Sequence, residues 1–294
     1  MRVLITGGTG FIGRALCRQL LHAGHELWVL TRNPTKAATK LEGIRLIEHL
    51  AEAGQMDAVV NLAGEPLADG RWTDRRKQAF RDSRIGTTQS LLEWIASQVQ
   101  RPRVLVSGSA IGYYGPRDDK PLTEESPPGD DFSAQLCRDW ESAAMQAESL
   151  GLRVCTVRIG VVLGPDGGAL SKMLPPFKLG AGGPMGDGRQ WMSWVHRHDL
   201  VRLLQWLLEH DQARGAYNGT APSPVTNREF AQTLGKVLRR PARITTPALA
   251  LKLMFGEMAT LLLTGQRVLP AHAVAGGFQF QHPTLETALT DLLA

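Results

Sequence analysis

The stretch R-V-L-I-T-G-G-T-G-F-I-G, Arg2 to Gly13, decides the fold. Val3, Leu4 and Ile5 form a short apolar run, which suits a strand buried on both faces, and glycines follow at once. Gly7 and Gly8 let the backbone turn where a side chain would clash, Gly10 lets a pyrophosphate approach the main chain, and Gly13 lets the next helix lie close to the strand. The helix expected from Phe11 to about Ala23 directs its free N–H groups and positive dipole end at that phosphate. Gly8, Gly10 and Gly13 satisfy G-x-G-x-x-G, and Gly7, Gly10 and Gly13 the related G-x-x-G-x-x-G. Glycine spacing alone is weak evidence, because plain loops share it. Here the required context is present. A strand precedes the motif, an amphipathic helix follows (Leu16, Leu20 and Leu21 on one side, Arg14 and Arg18 elsewhere), and a second strand runs from Glu26 to Leu30.

Working outward, the second strand ends in Thr31, Arg32 and Asn33. An NAD site usually places Asp or Glu there to hold the ribose hydroxyls, whereas Arg suits a 2′-phosphate, so Arg32 favours NADP. A weak third strand near Ile44 to Ile47 precedes a clear fourth, Asp57 to Leu62, which runs into Leu62-Ala63-Gly64. Those small residues at a strand's carboxyl end are candidates for the wall of a cofactor crevice. Trp72 to Val99 carries one or two helices with Leu91, Leu92 and Ile95 as the apolar stripe, interrupted around Arg84-Ile85-Gly86. The fifth strand, Val104 to Val106, ends in Ser107-Gly108-Ser109-Ala110 and is followed by Tyr113 and Tyr114, hydroxyls placed where reacting atoms would lie. Asp130 or Asp131 caps a helix running to about Ser149, and a sixth strand spans Val154 to Ile159. Strands and helices thus alternate six times, the pattern of a parallel sheet covered on both faces.

Beyond Pro165 the composition shifts. Gly164 to Gly188 is rich in Gly and Pro with no dominant regular element, and such a long loop is expected to cover the crevice. Trp191 to Asp199 is expected as a short strand entering a helix from Leu200 to Glu209, and another strand lies around Ala216 to Asn218. Thr226-Asn227-Arg228-Glu229 is a capping box for the helix ending at Leu238. The tail adds an apolar segment from Ala248 to Leu263, expected as a core helix, a strand-like piece Gly277 to Phe280, and a closing helix from Pro283. The fold class is therefore α/β, a doubly wound parallel sheet with a smaller C-terminal α+β lobe. Residues 1–164, with 193–219 returning to them, form the nucleotide-binding domain, and 165–192 with 220–294 form a substrate-covering lobe.

The bulk numbers fit an ordinary soluble globular chain: 294 residues, 43% hydrophobic and 21% charged. No basic-then-apolar leader precedes the first strand, so a cytoplasmic location is expected. Cys17, Cys137 and Cys155 form no C-x-x-C pair, which argues for reduced, buried thiols and against a disulfide framework or zinc site. The net charge of +5 is thickest in Arg75, Arg76, Lys77, Arg81 and Arg84, a solvated helix face with no accompanying nucleic-acid motif. His196, His198 and Asp199 have metal-ligand residue types, but adjacent ligands on one segment rarely close a tetrahedron, and a structural role is expected. The expected partner is a small molecule, with no nucleic acid and no membrane, and a homodimer is left open.

These landmarks resemble the extended short-chain dehydrogenase/reductase superfamily, which includes nucleotide-sugar epimerases and dehydratases. The matching pieces are Thr6 to Gly13, N-L-A-G at Asn61 to Gly64, S-G-S-A at Ser107 to Ala110, R-I-G-V-V-L-G-P at Arg158 to Pro165 and S-W-V-H-R-H-D at Ser193 to Asp199. More narrowly, Gly182 to His196 and G-Q-R-V-L-P at Gly265 to Pro270 are similar to the YfcH-like epimerase family. The resemblance spans nearly the whole chain and implies an NADP-binding Rossmann lobe. Its cofactor contacts would fall at Gly7, Thr9, Gly10, Phe11, Ile12 and Gly13, at Thr31 and Arg32, at Leu62, Ala63 and Gly64, and at Arg84, Ser107 and Val162.

The catalytic part departs from the superfamily pattern, which uses Tyr-x-x-x-Lys on a helix to pass a proton while hydride moves to or from the nicotinamide. The corresponding helix here, Phe132 to Glu141, contains neither tyrosine nor lysine. Tyr113 and Tyr114, with Ser109 as hydrogen-bond donor, are the remaining candidates for the chemistry; both rings could equally pack without reacting. The expected activity is an NADP-dependent oxidoreductase or epimerase acting on a small carbonyl or sugar-derived compound. The alternative is a catalytically inactive NADP(H)-binding regulatory or redox-sensing protein.

Overall fold

The computed structural model describes all residues, 1–294, and its centre is a seven-stranded parallel sheet. The strands are β1 (Arg2–Thr6), β2 (Glu26–Leu30), β3 (Arg45–Ile47), β4 (Ala58–Asn61), β5 (Val104–Ala110), β6 (Arg153–Ile159) and β7 (Gly215–Gly219). Their spatial order is β3-β2-β1-β4-β5-β6-β7, and every pair is parallel. The chain reverses its direction of progress between β1 and β4, so the crevice at their carboxyl ends is the topological switch point of the sheet.

The alternation of side chains along each strand feeds two cores. Val3, Ile5, Val60, Val106 and Val157 face Leu16 and Leu20 of the helix Phe11–His22 and Leu200, Leu203 and Leu207 of the helix Arg197–Glu209. Leu4, Val59, Leu105 and Val154 face Leu91 and Ile95 of the helix Thr87–Ser97 and Ala144 of the helix Phe132–Met145. Arg153 closes the β6 side: its guanidinium donates to the carbonyl oxygens of Leu207, Leu208 and Ala213 at 2.8 to 3.0 Å, satisfying the end of the helix before β7.

A third core, separate from the two against the sheet, is built from Leu163, Leu170, Leu174, Phe177, Phe230, Leu234, Leu285 and Leu289. Val161–Gly164 pairs in parallel with Trp194–His196, and Trp191–Met192 pairs antiparallel with Val225–Thr226. The capping box forms as expected, the Thr226 Oγ1 accepting from the Glu229 amide at 3.2 Å and the Glu229 carboxylate accepting from the Thr226 amide at 2.7 Å. Ala273 and Phe278 pack on the first core before the last helix brings Leu285 and Leu289 to the third.

Three expectations need correction. The stretch after Gly164 is not irregular: Gly168–Lys178 is a helix that buries Leu170, Leu174 and Phe177, and the prolines Pro175 and Pro176 sit in its last turns. Its i, i+4, i+7 apolar spacing outweighs the prolines' loop signal. The segment Ala248 to Leu263 is not one core helix but Ala248–Phe255, a 3₁₀ turn Gly256–Ala259 and a short helix Thr260–Leu263. One side lies at the surface, with Leu249 69% and Leu253 67% exposed, while Leu251, Met258 and Ala259 are buried. Gly277 to Phe280 forms no strand, its main chain serving instead as an irregular link to the last helix, Leu285–Leu293.

Candidate functional site

Only glycine fits at two places in the first turn. Gly7 has φ +69° and packs against the Leu62 carbonyl, and a Cβ there would run into the Leu62–Ala63 backbone. Gly13 lies against the Gly7 carbonyl and the Gly8 Cα, the close approach of helix to strand that the motif predicts. Gly10 is the residue before the helix, and its amide bonds to the Gly7 carbonyl oxygen at 3.0 Å. No side chain caps that helix, so the amides of its first turn carry no side-chain acceptor. Glycines at Gly7, Gly8, Gly10 and Gly13 beside uncapped amides are a fit for a dinucleotide pyrophosphate.

A buried polar ladder holds the cradle from below. The Thr6 hydroxyl donates to Asn61 Oδ1 at 2.6 Å, the Asn61 amide donates to the Thr88 hydroxyl at 2.9 Å, and the Ala63 amide donates back to Thr6 Oγ1 at 3.2 Å. The ends of β1 and β4 and the helix Thr87–Ser97 are thereby fixed to one another, and Gly7, Leu62 and Ala63 come together as expected. Thr6, Asn61 and Thr88 carry no motif signal as hydrogen-bonding anchors, although polar residues ending buried strands are the feature that marks them.

Phe11 and Val162 both border Gly168, where a Cβ would come 2.8 Å from the Phe11 ring and 2.9 Å from the Val162 carbonyl oxygen. The Phe11 ring is enclosed by Gly164, Gly167 and Gly168, each of which lacks a Cβ that would strike it, and the Arg197 guanidinium lies 4.7 Å from its centre. Arg197 pairs with Asp166, which also lies 3.7 Å from Arg14. Val162 sits in the strand that carries this loop. Thr9, Ile12 and Thr31 are partly buried along the same rim, and Ser107 is fully buried opposite Asn61 in the sheet.

Arg32 and Arg84 differ sharply. The Arg32 side chain is 95% exposed and its guanidinium stands 3.7 Å from the Glu65 carboxylate. Arg84 is not a solvated helix charge. It sits in a π-helical turn, Asp82–Gly86, with its guanidinium packed against Gly64 and 5.2 Å from the Trp140 ring centre. It donates to the Glu65 carbonyl at 3.0 Å, and burial lowers its pKa from the ordinary value. A Cβ on Gly64 would meet the Arg84 guanidinium, 2.9 Å from its Cζ.

The candidate reactive groups separate clearly. Tyr114 is fully buried; its hydroxyl donates to Asn218 Oδ1 at 2.7 Å and accepts from Arg158 Nη1 at 3.0 Å. Burial, partly offset by the Arg158 charge, pushes that phenol up to about 12. Ser109 is buried and gives its proton to Glu141 Oε1 at 2.6 Å. Arg158 holds the same Glu141 carboxylate by two hydrogen bonds, each 2.9 Å. Burial alone would pull the Arg158 pKa down, but the Glu141 hydrogen bonds and charge carry it well above the ordinary value. Tyr114 and Ser109 thus serve a charged structural network, which the charged Arg158 between Val157 and Ile159 near the end of a buried strand could have announced. Tyr113 is different. It is only partly buried, at the carboxyl end of β5, with the Arg158 guanidinium 3.5 Å from its ring centre, and the hydrogen bonds that hold Tyr114 do not hold it.

On the helix Phe132–Met145, Ser133 and Cys137 stand four residues apart and face Gly112, where a Cβ would come 3.2 Å from the Ser133 Cβ. Burial pushes the Cys137 thiol up to about 12, so it rests as the neutral thiol. No tyrosine or lysine projects from this helix toward the crevice.

The sequence matches the NAD dependent epimerase/dehydratase family over residues 3–218. The chain belongs to that family. Residues 246–292 match a second family, a domain of unknown function named DUF1731. Among curated relatives of this epimerase/dehydratase chain, "Epimerase family protein SDR39U1 homolog, chloroplastic" from Arabidopsis thaliana is 43% identical over 303 residues, covering 100% of this chain and 87% of that protein. "Epimerase family protein YfhF" from Bacillus subtilis is 37% identical over 302 residues, covering 100% and 98%. The crystal structure of human epimerase family protein SDR39U1 (isoform 2) with NADPH superimposes with a TM-score of 0.91 at 40% identity, covering 99% of each chain. The expected epimerase-family resemblance and the doubly wound fold are thereby established.

Proposed function

We propose that this chain binds NADP(H) at the glycine cradle and uses it as an oxidoreductase or epimerase-like enzyme on a small carbonyl or sugar-derived compound. The observation that carries the reading is the uncapped turn at Gly7 to Gly13, with glycine at Gly7, Gly8, Gly10 and Gly13, together with the exposed Arg32, in a chain whose human relative was crystallised with NADPH. The pyrophosphate would lie on the amides after Gly10, the 2′-phosphate at Arg32, and the nicotinamide end toward Val162 and Tyr113. The bound cofactor supplies or accepts hydride. Tyr113 holds the proton to be exchanged with the substrate oxygen, because its hydroxyl is free of the network that engages Tyr114, and the Arg158 guanidinium against its ring fixes its orientation.

The test is consumption of NADPH with a panel of aldehydes, ketones and keto sugars, wild type against Tyr113→Phe. Turnover that falls at least a hundredfold in the variant, with NADPH affinity unchanged, supports the assignment. Saturable NADPH binding with no turnover across the panel supports the second reading, a cofactor-sensing protein. That reading draws on the missing Tyr-x-x-x-Lys pair and on the hydrogen bonds that occupy Ser109 and Tyr114.

A further inference from the structure

We propose that the C-terminal lobe carries a docking surface for an anionic lipid bilayer, formed by the segments 175–181 and 239–254. Leu179, Ile244, Leu249, Leu253 and Met254 are exposed by 84, 57, 69, 67 and 62%. They are not scattered. Ile244 donates its amide to the Gly182 carbonyl, a Cβ on Gly180 would touch Pro241, and Thr246 bridges to Met185 immediately before the helix Ala248–Phe255. Leu249 and Leu253 stand one turn apart on that helix. Arg71, from the loop after β4, donates to the carbonyl oxygens of Leu253 and Met254, so the apolar helix is held in place from the crevice side.

Charge selects the occupant. Lys178, Arg239, Arg240, Arg243 and Lys252 are exposed within the same two segments, and none of them has a carboxylate partner. Lys236, one turn earlier, does, meeting Glu286 at 2.7 Å. No Asp or Glu occurs between Gly167 and Gly186 or between Phe230 and Gly256. A second copy of the chain meeting this face through a twofold axis would set these cations against one another. Nucleic acid would satisfy the cations and leave the aliphatic side chains with nothing to bury against. An anionic bilayer satisfies both, taking leucine and methionine side chains below the headgroups and lysine and arginine at their level. No helix is long and apolar enough to cross a membrane, so the contact is with one surface. A membrane partner departs from the expectation drawn from the sequence, and the cause is the outward face of Ala248 to Leu263, where Leu249, Leu253 and Met254 are exposed while Leu251, Met258 and Ala259 are buried.

The experiment is co-sedimentation of the full chain with vesicles of phosphatidylcholine containing about one third phosphatidylglycerol, against phosphatidylcholine alone. The expected result is at least tenfold stronger binding to the anionic vesicles, weakening as salt is raised. Leu249→Glu with Leu253→Glu, and separately Arg239→Glu, Arg240→Glu and Arg243→Glu together, should each abolish it, with thermal melting unchanged because the positions are exposed. Absence of binding to anionic vesicles, equal binding to neutral ones, or wild-type binding by either variant would overturn the proposal. A dimer in solution that the Leu249→Glu, Leu253→Glu variant dissolves, without vesicle binding, would overturn it in favour of self-association, and tight DNA binding without vesicle binding in favour of nucleic acid.

Discussion

Arg158 of β6 and Glu141 of the helix Phe132–Met145 meet through two hydrogen bonds of 2.9 Å each, both side chains almost wholly buried. Around this pair gather Ser109, the Tyr114 hydroxyl and the Glu124 carbonyl, so the carboxyl ends of β5 and β6 are tied to one helix and to the loop before it. The pair engages Ser109 and the Tyr114 hydroxyl, two of the three candidate hydroxyls, in a structural network.

Breaking that pair from one side leaves an uncompensated buried charge, which costs about 3–5 kcal/mol. Glu141→Ala or Arg158→Ala should each lower stability by that order in urea unfolding. The double variant Arg158→Met, Glu141→Leu should recover most of the loss, since no charge remains to be desolvated. A double variant as unstable as the sum of the two singles would show that the ion pair is not what couples these elements.

Arg32 tests the cofactor choice. Its only charged neighbour is Glu65 across the crevice mouth, and an exposed pair of this kind is worth under about 1 kcal/mol, so Arg32→Asp should leave the melting temperature within a degree or two. The same change should weaken NADPH at least tenfold more than NADH, measured by calorimetric titration. Equal losses for the two cofactors would remove Arg32 from the 2′-phosphate site.

All three cysteines are free and buried, and burial pushes Cys17 and Cys137 up to about 12 and Cys155 up to about 11. Thiolate is the reactive form, so the native chain should show no fast reaction with a thiol-specific disulfide reagent at pH 8, and all three thiols should react in denaturant. A fast native phase of one equivalent would mark a thiol that the fold presents to solvent.

His196 sets an acid limit. Burial first, and the neighbouring His282 charge second, lower its pKa from 6.5 to about 4. The unfolded chain therefore binds the proton first as pH falls, so this contribution to stability is complete above pH 6.5 and is lost progressively toward pH 4. His196→Asn keeps an acceptor for the His198 amide, which the imidazole Nδ1 now accepts at 3.1 Å, and removes the titration. Urea midpoints between pH 7 and 4.5 should fall less steeply in the variant. Parallel slopes would assign the acid sensitivity elsewhere, for instance to Asp57, whose pKa the Arg2 amide hydrogen bond holds below the usual carboxylate range.

Most of the sheet was legible because its signals are local. Val3-Leu4-Ile5 and the glycines after them name a buried strand and its turn, and the first six strands fall within a few residues of their expected positions. The helix Gly168–Lys178 was hidden by two prolines whose cost falls in its last turns. The role of Arg84 was hidden because a basic residue in a basic helix gives no sign that its guanidinium will be folded under Gly64.

By itself, the sequence determined the parallel α/β topology, the glycine-rich turn after β1 and the absence of the usual tyrosine–lysine couple, since each depends on residues near one another along the chain. Tertiary structure alone decided that Tyr114 is sealed while its neighbour Tyr113 is not, and that Leu249, Leu253 and Met254 of the apolar run Ala248 to Leu263 face outward while Leu251 and Met258 are buried. The physical reason is shared: whether a phenol keeps its proton or a leucine meets water depends on what distant elements bring against it. Arg158, Asn218 and Glu124 supply that for Tyr114, whereas no element covers Leu249 and Leu253.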